Sequence, residues 1–175
     1  MKTTKIITLT ALWTALLICV QLALSGVAGV ELVTVFFAAF CYFTGIAAGL
    51  TVAVCFSMLR CFLFGFYPTV IILYLVYYCI FAVVFGAIGK KTKGKISVGA
   101  LIVATVVATA LTAVFTLLDD VITPLFFGFG LPATRAYFYA SLPFMSAQCI
   151  CAAISVSVLF LPIVKTLSVA VGKRA

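Results

Sequence analysis

From Thr69 to Gly89 the chain runs without one charged side chain, and so do the stretches from Ile6 to Ser25 and from Ser97 to Leu118. Runs of this length leave few folds open. A helix of about 20 apolar residues can cross the roughly 30 Å hydrocarbon core of a bilayer. Inside that core every backbone N–H and C=O must be paired within a helix or a closed barrel. Barrel strands alternate apolar and polar residues, and these runs do not. Composition argues against a water-soluble alternative: 67% of the 175 residues are hydrophobic and 8% are charged, whereas a soluble domain is about half apolar and a quarter charged. The chain reads as an all-α integral membrane protein, a compact bundle forming one domain over residues 1–175.

Glycines, prolines and charges divide the chain into six expected transmembrane helices. The first covers 6–25 and ends at Ser25-Gly26. The second and third, 31–43 and 46–64, are joined at Tyr42-Phe43-Thr44-Gly45. The fourth, 69–89, follows Pro68 and stops at Gly89. The fifth, 97–118, is stopped by Asp119-Asp120. The sixth, 142–166, carries Pro143 in its first turn, where proline is tolerated. The second helix is short for a full span, and fusing 31–64 into one bent span would put the basic segments on opposite sides.

With six spans, Lys2, Lys5, Lys90, Lys91, Lys93, Lys95, Lys165, Lys173 and Arg174 share one side. Glu31, Asp119 and Asp120 share the other, with only Arg60 and Arg135 as basic company. An excess of Lys and Arg marks the cytoplasmic face, so both termini are expected there. The net charge of +8 is then a topology signal with some affinity for anionic lipid. It does not mark a nucleic-acid binder, because no soluble basic domain is there to carry that role. Lys2, Lys5 and Ala23-Leu24-Ser25 give the first segment a likeness to a signal peptide. Its apolar run is longer than the usual core of about 7–15 residues, and it is expected to stay as a helix.

The segment Gly89-Lys-Lys-Thr-Lys-Gly94-Lys95 nearly spells a phosphate-binding loop. That loop needs a preceding strand, a following helix, and Ser or Thr after the lysine to hold magnesium. Here Ile96 follows Lys95, and both flanks are apolar helices. A cationic connector beside two span ends, with no demand on its geometry, is the better reading, and ATP binding is not expected. With no histidine in the chain, imidazole bases and His-based zinc sites are excluded. The seven cysteines form no C-x-x-C pair and read as small apolar packing residues. Asp119 and Asp120, adjacent on one helix, would point about 100° apart, unlike the facing carboxylates of an intramembrane aspartyl protease. No catalytic residue, metal or cofactor is expected.

Candidate binding residues gather on the acidic side. Glu31, Arg60, Asp119, Asp120 and Arg135 lie near helix ends or in loops there, among Tyr67, Tyr74, Tyr78 and Tyr139. Ionisable residues near hydrocarbon need partners or water and mark functional sites. An aromatic pocket with a few convergent polar groups is the usual small-molecule site, although tyrosines also gather as a belt at membrane interfaces. Gln21 and Gln148 are the only side-chain amides, and Gln148, one turn into the sixth helix, is the expected hydrogen-bonding partner of a ligand.

Small residues recur every fourth position on two helices: Ala11, Ala15, Cys19 and Ala23 on the first, and Ala100, Ala104, Ala108, Thr112 and Thr116 on the fifth. Gly45 and Gly49 add a G-x-x-x-G. Such stripes let helices approach closely in lipid. Internal packing is expected for the fifth helix and for Gly45/Gly49. For the first helix, internal packing and partner docking stay equally open.

The Ala11/Ala15 pair resembles the A-x-x-x-A surface with which substrate-binding S components of energy-coupling factor (ECF) transporters dock their membrane partner. The layout of six spans with a basic loop between the fourth and fifth is similar as well. Tyr139-Ala-Ser-Leu-Pro143-Phe144, Phe160-Leu-Pro162-Ile-Val-Lys165 and Phe64-Gly65-Phe66-Tyr67-Pro68 look like the start and finish of the family's last helix and its third outer loop. Many members follow the Pro-Phe pair with an acidic residue and later a histidine or asparagine, where this chain has Met145, Ser146 and Gln148. The resemblance implies a non-enzymatic subunit of a prokaryotic plasma membrane that captures a small vitamin-like micronutrient. It would work with a transmembrane coupling subunit and two cytoplasmic ATPases. Other readings are a structural membrane protein of the cell-shape machinery and a stand-alone small-molecule facilitator.

Overall fold

A computed structural model describes residues 3–27, 30–94 and 97–171. Lys2, Lys95, Lys173 and Arg174, assigned above to the basic side, lie outside the described residues. The described chain is helical: α1 Thr3–Leu24, α2 Val33–Thr44, α3 Ile46–Phe64, α4 Pro68–Lys91, α5 Val98–Phe127 and α6 Leu131–Val171. All but α2 are long and apolar enough to cross a membrane. The fold is that of a multi-pass membrane bundle.

The exception explains itself. Helix α2 packs against all five other helices, and Val35, Phe37, Ala38, Ala39, Phe40 and Cys41 are fully buried in it. A helix apolar all round belongs in a core. Twelve residues rise only about 18 Å, which is enough for a segment walled by longer helices. Around it Phe37, Phe56, Tyr78 and Phe81 interlock, with ring centroids 5.1–5.6 Å apart. The small residues of α5 turn inward: Ala100, Ala104, Ala108, Thr112 and Thr116 are all buried. Those of α1 do not, since Ala11, Ala15, Cys19 and Ala23 are exposed. Thr10, Thr14 and Leu17 form the buried face of α1.

Two helices overrun their expected limits. Asp119 and Asp120 do not stop α5, which continues to Phe127. Asp119 accepts hydrogen bonds from Thr123 Oγ1 and Tyr137 Oη, both at 2.8 Å. Asp120 accepts one from Ser141 Oγ at 2.7 Å. Asp119 is therefore partnered by its own helix and by α6, and Asp120 by α6 alone, so the helix need not end in water at this pair. Gly128 then closes it in the left-handed conformation (φ 64°). Helix α6 starts at Leu131 instead of 142, so Pro143 and Pro162 are both internal and Pro143 is not in a first turn. Arg135 and Tyr139 consequently stand on a helix. At about 45 and 60 Å, α5 and α6 exceed the hydrocarbon thickness.

The connector after α4 also has defined geometry, where none was expected. Gly94 N–H donates to Gly89 O at 2.9 Å and Lys93 N–H to Lys90 O at 3.2 Å. Lys93 itself has φ 54°. These are the paired bonds of a Schellman motif, in which a residue with positive φ ends a helix. The near match to a phosphate loop is a helix stop.

Candidate binding site at the acidic end

The segment between α1 and α2 brings Glu31 against α6. The Glu31 N–H donates to Cys151 Sγ, and the Cys151 thiol donates to the Glu31 carbonyl, each at 3.4 Å. The Glu31 carboxyl is turned toward Thr34 and Tyr78. Burial raises its pKa above the ordinary 4.5, and the hydroxyls of Thr34 and Tyr78 draw it part of the way back. The Thr34 hydroxyl has no partner in full hydrogen-bond geometry, so its influence is that of a nearby dipole and not of a formed bond.

Beside Glu31 lies a cavity of about 180 Å³ whose polar wall is Gln21, Glu31, Tyr74 and Gln148, with Phe115 and Leu24 among the apolar lining. Five helices and a linker contribute. Tyr74, on α4, organises it. Its hydroxyl accepts a hydrogen bond from Gln21 Nε2 at 3.1 Å. Its ring meets Phe115 edge-on at 5.4 Å and Tyr78 at 5.4 Å. The guanidinium carbon of Arg60 sits 4.0 Å from the centre of the same ring, with Phe64 at 5.0 Å, a cation–π arrangement. Gln21 Oε1 is buried and has no hydrogen-bond partner.

A second cavity, of about 320 Å³, shares Phe115 and Gln148 with the first and extends along α5 and α6 to Asp119, Tyr137 and Ser141. Thr116 Oγ1 donates to Gln148 Oε1 at 3.3 Å, so Gln148 is braced on the partition. Each Asp119 oxygen already accepts one bond. In Asp120, Oδ1 is buried without a partner while Oδ2 holds Ser141.

Of the residues expected at a site, Glu31, Tyr74 and Gln148 meet on one cavity, and Asp119 joins Gln148 on the other. Tyr78 is a core residue behind Glu31, 2% exposed. Arg60 lies behind Tyr74, and Asp120 lies in the α5–α6 contact. Tyr67, Arg135 and Tyr139 are exposed and line neither cavity. The sequence reading passed over Gln21, Phe115 and Thr116 as site residues. Gln21 had a legible signal, a lone amide inside an apolar helix. Phe115 and Thr116 had none, since both fit ordinary packing.

The geometry suits binding. The first cavity is lined by the Glu31 carboxyl, the Tyr74 hydroxyl and two side-chain amides, between aromatic walls. A ligand with N–H donors or a positive charge would suit the acidic group. Among the described residues no group of three His, Cys, Asp or Glu side chains could hold a metal. Comparisons with protein-family models, curated proteins and solved structures return no match.

Proposed function

We propose that this protein is the membrane-embedded capture subunit of an ECF-type importer, binding a small vitamin-like micronutrient in the cavity of Gln21, Glu31, Tyr74 and Gln148. The observation that carries the reading is that Gln21, Glu31, Tyr74 and Gln148, brought from separate parts of the chain, line one cavity at the acidic end. A few convergent polar groups in an aromatic-lined cavity are the usual make-up of a small-molecule site. In this reading the lysine-rich end faces the cytoplasm, the acidic end faces outward, and ATP is hydrolysed in partner chains. The exposed row Ala11, Ala15, Cys19 and Ala23 is the docking face for a transmembrane coupling subunit, since small residues permit close helix approach in lipid.

Two measurements test it. Mass spectrometry of the protein purified in mild detergent should release one small, nitrogen-bearing organic molecule, at much lower yield from Glu31→Gln. Ala15→Trp should abolish uptake and co-purification with a coupling subunit while the isolated chain still binds. A ligand-free protein, with Ala15→Trp tolerated in cells, would sink the proposal.

A further inference from the structure

At the lysine-rich end a cavity of about 460 Å³ opens where the α2–α3 corner meets the end of α4. Its wall includes Thr44, Gly45, Ile46, Lys90 and Lys93. Neither site cavity reaches it, and the capture function makes no use of it.

Its chemistry points one way. Lys90 belongs to the last turn of α4, and Lys93 is held by the Schellman cap that ends the helix. Two lysines thus line one wall, carried on backbone whose path those hydrogen bonds set. All three acidic residues of the chain, Glu31, Asp119 and Asp120, are at the opposite end, so no acidic side chain neutralises these lysines. The facing wall is Thr44, Gly45 and Ile46, where α3 begins without a side-chain cap. The volume lies within the range of small-molecule sites, so the space admits more than a bare ion. Basic pockets between membrane helices are where phosphate-bearing headgroups bind.

We propose that this cavity binds a phosphate-bearing anion, held by Lys90 and Lys93 across from the start of α3. The phosphate can arrive on a lipid headgroup or free in solution. The inference is independent of what the acidic end binds.

The test uses the full chain. In nanodiscs of phosphatidylcholine with phosphatidylglycerol, native mass spectrometry should find phosphatidylglycerol retained preferentially. In detergent, inorganic phosphate is titrated calorimetrically. Lys90→Gln/Lys93→Gln should weaken whichever binding is seen about thirtyfold. Lys5→Gln/Lys165→Gln, which removes the same charge from the same end outside the cavity, should leave it within about twofold. Thr44→Asp keeps every lysine and should abolish binding by placing a carboxylate in the wall, which guards against a folding defect in the lysine variant. Lipid retention unaffected by inorganic phosphate identifies the headgroup as the source. Displacement by inorganic phosphate identifies the soluble anion. Equal loss in both lysine pairs would show diffuse surface attraction and overturn the site, as would the absence of both lipid preference and phosphate binding.

Discussion

The two ends of this bundle solve opposite problems. At the lysine-rich end the backbone comes close, and among the described residues no buried side-chain polar atom there lacks a partner. Gly86 and Gly89 of α4 press on the α2–α3 corner, where a Cβ at Gly86 would lie 2.7 Å from Ile46 N and one at Gly89 would overlap the Tyr42 carbonyl oxygen. Thr92 Oγ1 donates to Tyr42 Oη at 2.6 Å, tying the turn after α4 to α2. At the acidic end the helices stand apart around two cavities. The four buried side-chain polar atoms without partners among the described residues, in Gln21, Thr34, Arg60 and Asp120, all belong to that half. Native proteins leave few such atoms, and each one calls for an explanation. The unpartnered groups among the described residues are thus confined to one end of the bundle.

The largest effect that could break this contrast is steric. Gly89→Ala should lower stability by about 3 kcal/mol, because the new methyl meets a backbone carbonyl that can move only with α2, and overpacking of this kind costs about 1–3 kcal/mol or more. Thermal unfolding in detergent measures it. Gly128→Ala at the acidic end meets nothing within 4 Å and should cost only the left-handed backbone penalty of about 1–2 kcal/mol. Equal losses in the two variants would erase the asymmetry.

Next in size is Glu31→Gln, which should weaken binding of the retained molecule by about 2 kcal/mol, the worth of a hydrogen bond to a charged group. The same change should raise the stability of the empty protein at neutral pH. The sign follows from the raised carboxyl pKa: the ionised form is disfavoured by folding, so the native state loses stability as pH rises through the folded value and regains it below the unfolded one. The stabilisation by Glu31→Gln should therefore fade as pH falls toward 4.5, the ordinary value. Parent-protein binding should weaken over the same range, beginning above 4.5. Isothermal titration and melting curves across that range read both. A variant that loses stability and binding together would make Glu31 a structural residue.

Smaller effects sharpen the picture. Gly94→Ala should cost about 1 kcal/mol in melting experiments, since Gly94 has φ 69° and closes the Schellman cap, while ligand binding stays unchanged. Thr116→Val should cost less than about 1 kcal/mol of stability, because its bond to Gln148 is long at 3.3 Å. It should alter ligand preference measurably by freeing Gln148 on the partition between the cavities.

Much of the architecture was legible one residue at a time. The lysine–acid division, the spans of α1, α3 and α4, and the gathering of Glu31, Tyr74 and Gln148 follow from local rules of hydropathy, charge and turn chemistry. The misreadings share a cause. Asp119 and Asp120 looked like a helix end because a carboxylate in an apolar run normally needs water. Only the approach of α6, with Tyr137 and Ser141, supplies protein partners in its place. Pro143 looked like a helix start for the same local reason.

Sequence by itself determined that this chain is helical and apolar enough to live in lipid, because span length and composition depend on no partner. Which short helix is central, which small-residue stripe faces inward and which outward, and which polar atoms go unpaired were decided by tertiary structure alone. Ala15 and Ala104 are the same residue in similar patterns, yet one is exposed and the other fully buried. Helical periodicity determines that such residues share a face; only the packing of five helices around α2 decides what that face meets.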